Sequence, residues 1–147
     1  GNIFPVLQEE DYNITMYDTG MTLNEVIHEV DYVEAFEVRD PKATQLEYSF
    51  FQEHYDQWEW NSEWKNDTLD HDKRLMLLCD SFIKHFTLED FAESFPEVGM
   101  VWANYMTDLG TAVDYYKPDI LVYETVEWVN RDIDLITLAE KILAGEV

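Results

Sequence analysis

The chain has 147 residues, and 32 Asp and Glu against 9 Lys and Arg give a formal net charge of −23. Apolar residues make up 46% and aromatics 15%, enough to fill a sizeable core, which excludes a disordered chain and suggests one domain. The scattered cations offer no basic face for a nucleic acid or an anionic membrane surface, and no run approaches the roughly 18 apolar residues of a membrane helix.

The first 69 residues are the less regular part. Thr22 to Val30 fits a short amphipathic helix. Tyr32-Val33-Glu34-Ala35-Phe36-Glu37-Val38 alternates at period two, which predicts a strand exposed on one face, broken at Asp40-Pro41. From Tyr55 to Trp64 aromatic and polar residues alternate, so a strand or hairpin is expected there. Trp58, Trp60 and Trp64 either form one face of that hairpin packed on a sheet or provide stacking platforms for sugar rings.

From residue 70 a rhythm sets in. Arg74 to Cys79 is a short apolar run, as in a strand buried on both faces. Thr87 with Asp90 resembles a capping box before a helix that carries Phe91, Ala92 and Phe95 and stops at Pro96. Val98 to Ala103 reads as a second buried strand and Thr107 to Tyr116 as a helix ended by Lys117-Pro118. Asp119 to Tyr123 is a third strand, and Ile133 to Leu143 a last helix. Strands alternating with helices at this spacing predict an α/β protein, with a parallel sheet between helical layers.

Cys79 is the lone cysteine, so neither an internal disulfide nor a cysteine zinc site is possible within the chain. Glu9-Glu10-Asp11 lacks the ordered spacing and glycine of a calcium loop, and no metal or cofactor is expected. Asn13-Ile14-Thr15 and Asn66-Asp67-Thr68 match glycosylation sequons, a pattern too common to assign. The acidity also fits a salt-adapted protein, though such chains usually carry fewer large aromatics. No basic segment followed by an apolar stretch marks a signal peptide.

The strongest local signal is Cys79-Asp80-Ser81-Phe82, directly after the first inner strand. Ligands and nucleophiles of open α/β sheets gather at the carboxyl ends of strands. A serine there is exposed, and its own N–H can face a developing oxyanion. The same residues could simply begin a loop.

Lys73-Arg74-Leu75-Met76-Leu77-Leu78-Cys79-Asp80-Ser81-Phe82 resembles the strand-then-Asp-Ser-Phe block of the SGNH-hydrolase-like proteins that O-acetylate polysaccharides, the alginate acetylation proteins among them. Phe91-Ala92-Glu93-Ser94-Phe95-Pro96-Glu97-Val98 is similar to a second block of that family, and Lys117 through Glu127 to a third. The resemblance covers roughly residues 70–130. It implies a three-layer α/β/α, SGNH or flavodoxin-like fold, of which this chain would be an incomplete C-terminal portion with a partly β segment at its start. It also implies transfer of an acetyl group from a donor protein or small molecule, through an acetyl-serine, to a polysaccharide outside the cytoplasm. Ser81 takes the role of nucleophile and oxyanion N–H donor, with Asp80 shaping the turn.

The family's Asp-x-His pair has no match anywhere in the sequence. His71 sits at the far end of the intervening strand, roughly 15–20 Å from Ser81 at about 3.3 Å per residue, and reads as a solvated loop residue. His85, four residues past Ser81, is the remaining candidate base; His28 and His54 read as structural. Chain starting at Gly1 is expected to have the pair upstream, and these residues alone to be inactive. The alternative is a carbohydrate-binding or scaffolding relative that has lost the pair. Glu124, Glu127, Asn104 and Trp128, after the second and third strands, are candidates for substrate contacts. For Glu124 and Glu127 structural hydrogen bonds to neighbouring loops are the competing role, and the arginine that the family has at position 128 is replaced by Trp128.

Overall fold

A computed structural model describes residues 7–18, 32–55, 61–102 and 109–124, together with Thr137, Glu140, Lys141 and Ala144. In chain order these contain β1 (Tyr12–Asp18), β2 (Tyr32–Val38), β3 (Thr44–Gln45), α1 (Phe50–His54), β4 (Ser62–Lys65), β5 (Arg74–Cys79), α2 (Ser81–Phe86), α3 (Leu88–Ser94), β6 (Glu97–Trp102), α4 (Leu109–Tyr116) and β7 (Ile120–Tyr123). The helices expected at 22–30 and in most of 133–143 lie outside the described residues, although Thr137, Glu140, Lys141 and Ala144 are helical.

The main sheet has strand order β3-β4-β6-β5-β7. β5 runs parallel to β6 on one side and to β7 on the other, as the apolar runs predict. The sheet is nevertheless mixed, because β4 joins β6 antiparallel and β3 joins β4 antiparallel. Those edge strands come from the irregular N-terminal part, where periodicity is too weak to give direction. β1 and β2 form a separate antiparallel ribbon, Tyr12 opposite Val38 and Ile14 opposite Phe36.

The inner strands explain why their sequences are apolar without alternation. Leu75, Leu77 and Cys79 of β5 point into one core with Ile83, Leu88, Ala92, Phe95, Val98 and Met100, beneath α2 and α3. Met76 and Leu78 point the other way into a second core with Phe51, Tyr55, Val101, Leu109, Ala112 and Tyr116, beneath α1 and α4. Helices on both faces make three layers. Gly99 faces the second core where nothing larger fits: a Cβ there would lie 2.5 Å from Phe51 Cε2 and 3.0 Å from Tyr116 Cζ.

α3 starts after Thr87, but the Thr87 side chain makes no capping bond. Asp90 does not close a capping box; it accepts a hydrogen bond from Tyr12 Oη at 2.8 Å, tying the ribbon to α3. The Tyr55–Trp64 stretch is not one hairpin: Tyr55 ends α1, and only Ser62–Lys65 is a described strand. Helix α1 is held at its start by Ser49, whose Oγ accepts from Gln52 N–H, and by buried Glu63, which accepts from Phe51 N–H at 3.3 Å. At the end of α4, Lys117 adopts φ 50° while its N–H still donates to Val113 O, so the chain leaves the helix through a left-handed residue before Pro118.

Candidate active site

The carboxyl ends of β5, β6 and β7 lie side by side, with Cys79 opposite Trp102 and Leu78 opposite Tyr123. β5 delivers the chain from the interior to this edge in two residues: Cys79 is 1% exposed, Asp80 half-buried and Ser81 exposed. Ser81 opens α2 at once, where the sequence pattern suggested a loop. The serine is thus uncovered because it leaves a strand whose side chains are all committed to the two cores.

Glu124 borders the same turn. Its N–H donates to Leu78 O at 2.9 Å, extending the β5–β7 ladder one step beyond the strand. Its Oε2 accepts from the Asp80 N–H at 3.3 Å. The pKa of the Glu124 carboxyl is held above the usual range first by burial and also by the nearby Asp80 carboxyl. The same two carboxyl groups, after burial, push the Cys79 thiol up to about 12. Cys79 is therefore a neutral thiol at physiological pH and no nucleophile, leaving Ser81 as the accessible hydroxyl.

The described histidines divide clearly. His85 is exposed on α2 one turn past Ser81; at that spacing Cβ atoms on a helix face are about 5–6 Å apart. His71 is not a solvated loop residue. Its Nδ1 accepts from Lys73 N–H at 3.3 Å, which leaves Nε2 to donate to Ser94 O at 3.2 Å, and its ring meets Phe95 edge-on. Both nitrogens are used at the opposite, amino edge of the sheet. His54 stacks on Phe50 with ring centroids 5.1 Å apart.

Trp64 packs against the first core and donates through Nε1 to Ser62 Oγ, so it is a packing residue. Asn104, Glu127, Trp128, His28, Trp58 and Trp60 lie outside the described residues. One residue the sequence reading passed over is Asn61, fully buried, whose Oδ1 accepts from Trp102 N–H at 3.0 Å and whose Nδ2 donates to Tyr55 O. It fastens the end of β6 at this edge, and its position in an aromatic-rich stretch gave no hint of that. An open cleft of about 440 Å³ lined by Glu9, Glu10, Tyr12, Ile14 and Arg39 belongs to the ribbon and includes none of these residues.

Among the described residues no group of three or more His, Cys, Asp or Glu is placed to hold a metal ion, and no helix is long and apolar enough to cross a membrane.

The fold is that of three-layer α/β proteins with a mixed sheet. A solved structure of Bacillus cereus PatB1 with sulfonyl adduct is similar to it, with a TM-score of 0.56 and 10% sequence identity over 80% of this chain. This chain spans 47% of the PatB1 chain. No family model matches the sequence, and no curated protein matches it.

Proposed function

We propose that this chain is the serine-bearing part of an SGNH-like O-acetyltransferase or acetylesterase that acts on a polysaccharide outside the cytoplasm. The observation that carries the reading is the position of Ser81, exposed directly after the inner parallel strand and at the first residue of α2. The fold likeness to PatB1 supports it, and so does the sulfonyl adduct of that structure, because sulfonyl groups attach to activated nucleophiles. The sequence blocks around Ser81, Glu93 and Glu124 add the resemblance to the acetylating family.

In this reading Ser81 Oγ attacks the acetyl carbonyl of a donor, giving up its proton to a base while the donor's own oxygen or sulfur leaves and takes a proton. A sugar hydroxyl, or water, then attacks the acetyl-serine and frees Ser81. An unassisted serine is a weak nucleophile, so the base matters. His85 is the described histidine on the same helix face. A family-type Asp-x-His is missing from the sequence, and these 147 residues alone are expected to turn over slowly.

A serine-directed fluorophosphonate is expected to label the native protein at Ser81, and Ser81→Ala to abolish the label while leaving the thermal transition in place. Native protein that neither takes the label nor releases acetate from acetylated glycans overturns the proposal and favours a carbohydrate-binding relative. Robust esterase activity from residues 1–147 alone would promote His85 to the base.

A further inference from the structure

The main sheet covers both of its faces with helices, whereas the ribbon leaves an apolar face in water. Cross-strand partners share a face, so Tyr12 with Val38 and Ile14 with Phe36 stand together, and Met16 continues the row. Asn13, Thr15 and Glu37 take the opposite face. Ile14 is 44% exposed, Met16 55% and Phe36 50%, so three large apolar side chains meet solvent side by side. Single exposed apolar residues are ordinary on a protein surface; a contiguous row on one sheet face is the mark of a surface that something covers.

The row is also held in shape. Arg39 braces the ribbon by donating to Asn13 Oδ1 and Tyr12 O, and its backbone N–H donates to Asp11 O. Tyr12 meets Phe36 edge-on with ring centroids 5.9 Å apart. Its hydroxyl donates to Asp90 Oδ1, which fixes this end of the face to α3.

The surrounding charges select what can cover it. Glu9 and Glu10 line the cleft of about 440 Å³ together with Tyr12, Ile14 and Arg39. Both glutamates are exposed, and among the described residues neither has an ion-pair partner. Arg39, the cation of the cleft, donates to the neutral oxygens of Asn13 and Tyr12 instead. A second copy would bring the same acidic border against this one, in a chain of net charge −23, and an anionic lipid surface is repelled as well. An apolar row edged by such carboxylates complements apolar groups that come with positive charge.

We propose that this face of the ribbon is a docking surface for a cationic amphipathic segment of a partner protein. Its apolar side chains cover Ile14, Met16 and Phe36, and its Lys or Arg groups meet Glu9 and Glu10. None of these residues belongs to the Ser81 edge, so docking and acyl transfer stand or fall separately.

The test is an NMR titration of the isotopically labelled native protein with a peptide of about eight residues alternating Lys and Leu, long enough at about 3.3 Å per residue to span β1. The methyl resonances of Ile14 and Met16 are expected to shift, and a peptide alternating Glu and Leu to leave them in place. The double variant Ile14→Thr, Met16→Thr keeps a strand-forming residue at each position. It is expected to weaken binding roughly tenfold or more, because apolar area at the contact is lost. Glu9→Gln with Glu10→Gln is expected to weaken binding roughly three- to tenfold and to flatten its salt dependence. The equal charge change Glu53→Gln with Asp114→Asn, at exposed positions of α1 and α4, should leave binding unchanged. No shift with the Lys–Leu peptide overturns the proposal. Equal loss from both charge changes, or binding that survives Ile14→Thr, Met16→Thr, reveals attraction to overall charge and overturns it too. So does a shift caused by the Glu–Leu peptide, by chitohexaose or by raising the protein's own concentration, since the occupant is then any apolar chain, a sugar or a second copy. The titrations of native protein need no variant, and they remain decisive if a substituted ribbon fails to fold.

Discussion

The two ends of β5 are built on opposite electrostatic plans. At the amino end opposite charges meet in pairs. Lys73 Nζ meets Asp119 Oδ1 at 2.8 Å, Arg74 Nε meets Glu97 Oε2 at 2.7 Å, and Asp119 Oδ2 accepts the Arg74 N–H at 3.0 Å. The Arg74 guanidinium also lies 4.5 Å over the Tyr116 ring. At the carboxyl end two carboxyl groups meet beside a neutral thiol and an exposed hydroxyl. One end is arranged for cohesion, whereas the other keeps like charges together, an arrangement that stability alone does not favour.

Changing the span between the two ends should have the largest effect and should disturb both. Gly99→Ala forces a methyl group against Phe51 and Tyr116; overpacking of this kind costs about 1–3 kcal/mol. At roughly 2–4 °C per kcal/mol for a chain of this size, calorimetry should register a fall of several degrees. An unchanged Tm would mean that the second core yields more readily than its contacts indicate.

A cut at the amino end alone should be smaller and one-sided. Arg74→Met keeps an aliphatic stem but removes the guanidinium, and with it the ion pair with Glu97 and the contact over Tyr116. With the two side chains 33% and 36% exposed, a loss of about 1 kcal/mol is expected, below the usual value for a hydrogen bond to a charged group. The rate of Ser81 labelling should not follow it; a parallel fall would show that the two ends are coupled.

The finest distinction is in pH. Lys73 and the Arg74 N–H lower the Asp119 pKa, so the stability Asp119 contributes is present above its unfolded value and lost as acidification passes through the lowered one. Glu124 is raised, so its contribution is complete below the unfolded value and lost as pH climbs through the raised one. Denaturant titrations across the acid range should show Asp119→Asn flattening the acid-side loss and Glu124→Gln flattening the rise-side loss. Equal slopes in both variants would remove the electrostatic contrast.

The sequence made the carboxyl half of the fold readable because β5, β6 and β7 carry their burial in their composition. Leu75 to Cys79 can be apolar throughout only if both faces are covered. The N-terminal elements depend on distant partners instead. Short α1 rests on Glu63 from β4, and the direction of β4 is decided by pairing with β6, neither of which has a periodicity to read. Asp90 looked like a capping residue because Thr87 lies three positions earlier, yet the Tyr12 hydroxyl from far along the chain claims it. For the site, exposure of Ser81 follows from its place after an inner strand. The hold of Glu124 on Asp80 could be seen only once the β5–β7 register was known, since their separation in sequence gives no clue.

Because successive side chains of β5 project to opposite faces, the strand works as a partition between two separately filled compartments. Leu77 and Leu78 are sequence neighbours, yet a void opened at one cannot be relieved by repacking around the other. Truncating both should therefore subtract nearly independent amounts, the additivity ordinarily reserved for remote positions. The protein can in this way accumulate changes on the α1 and α4 side without altering the packing beneath the helix that carries its exposed serine.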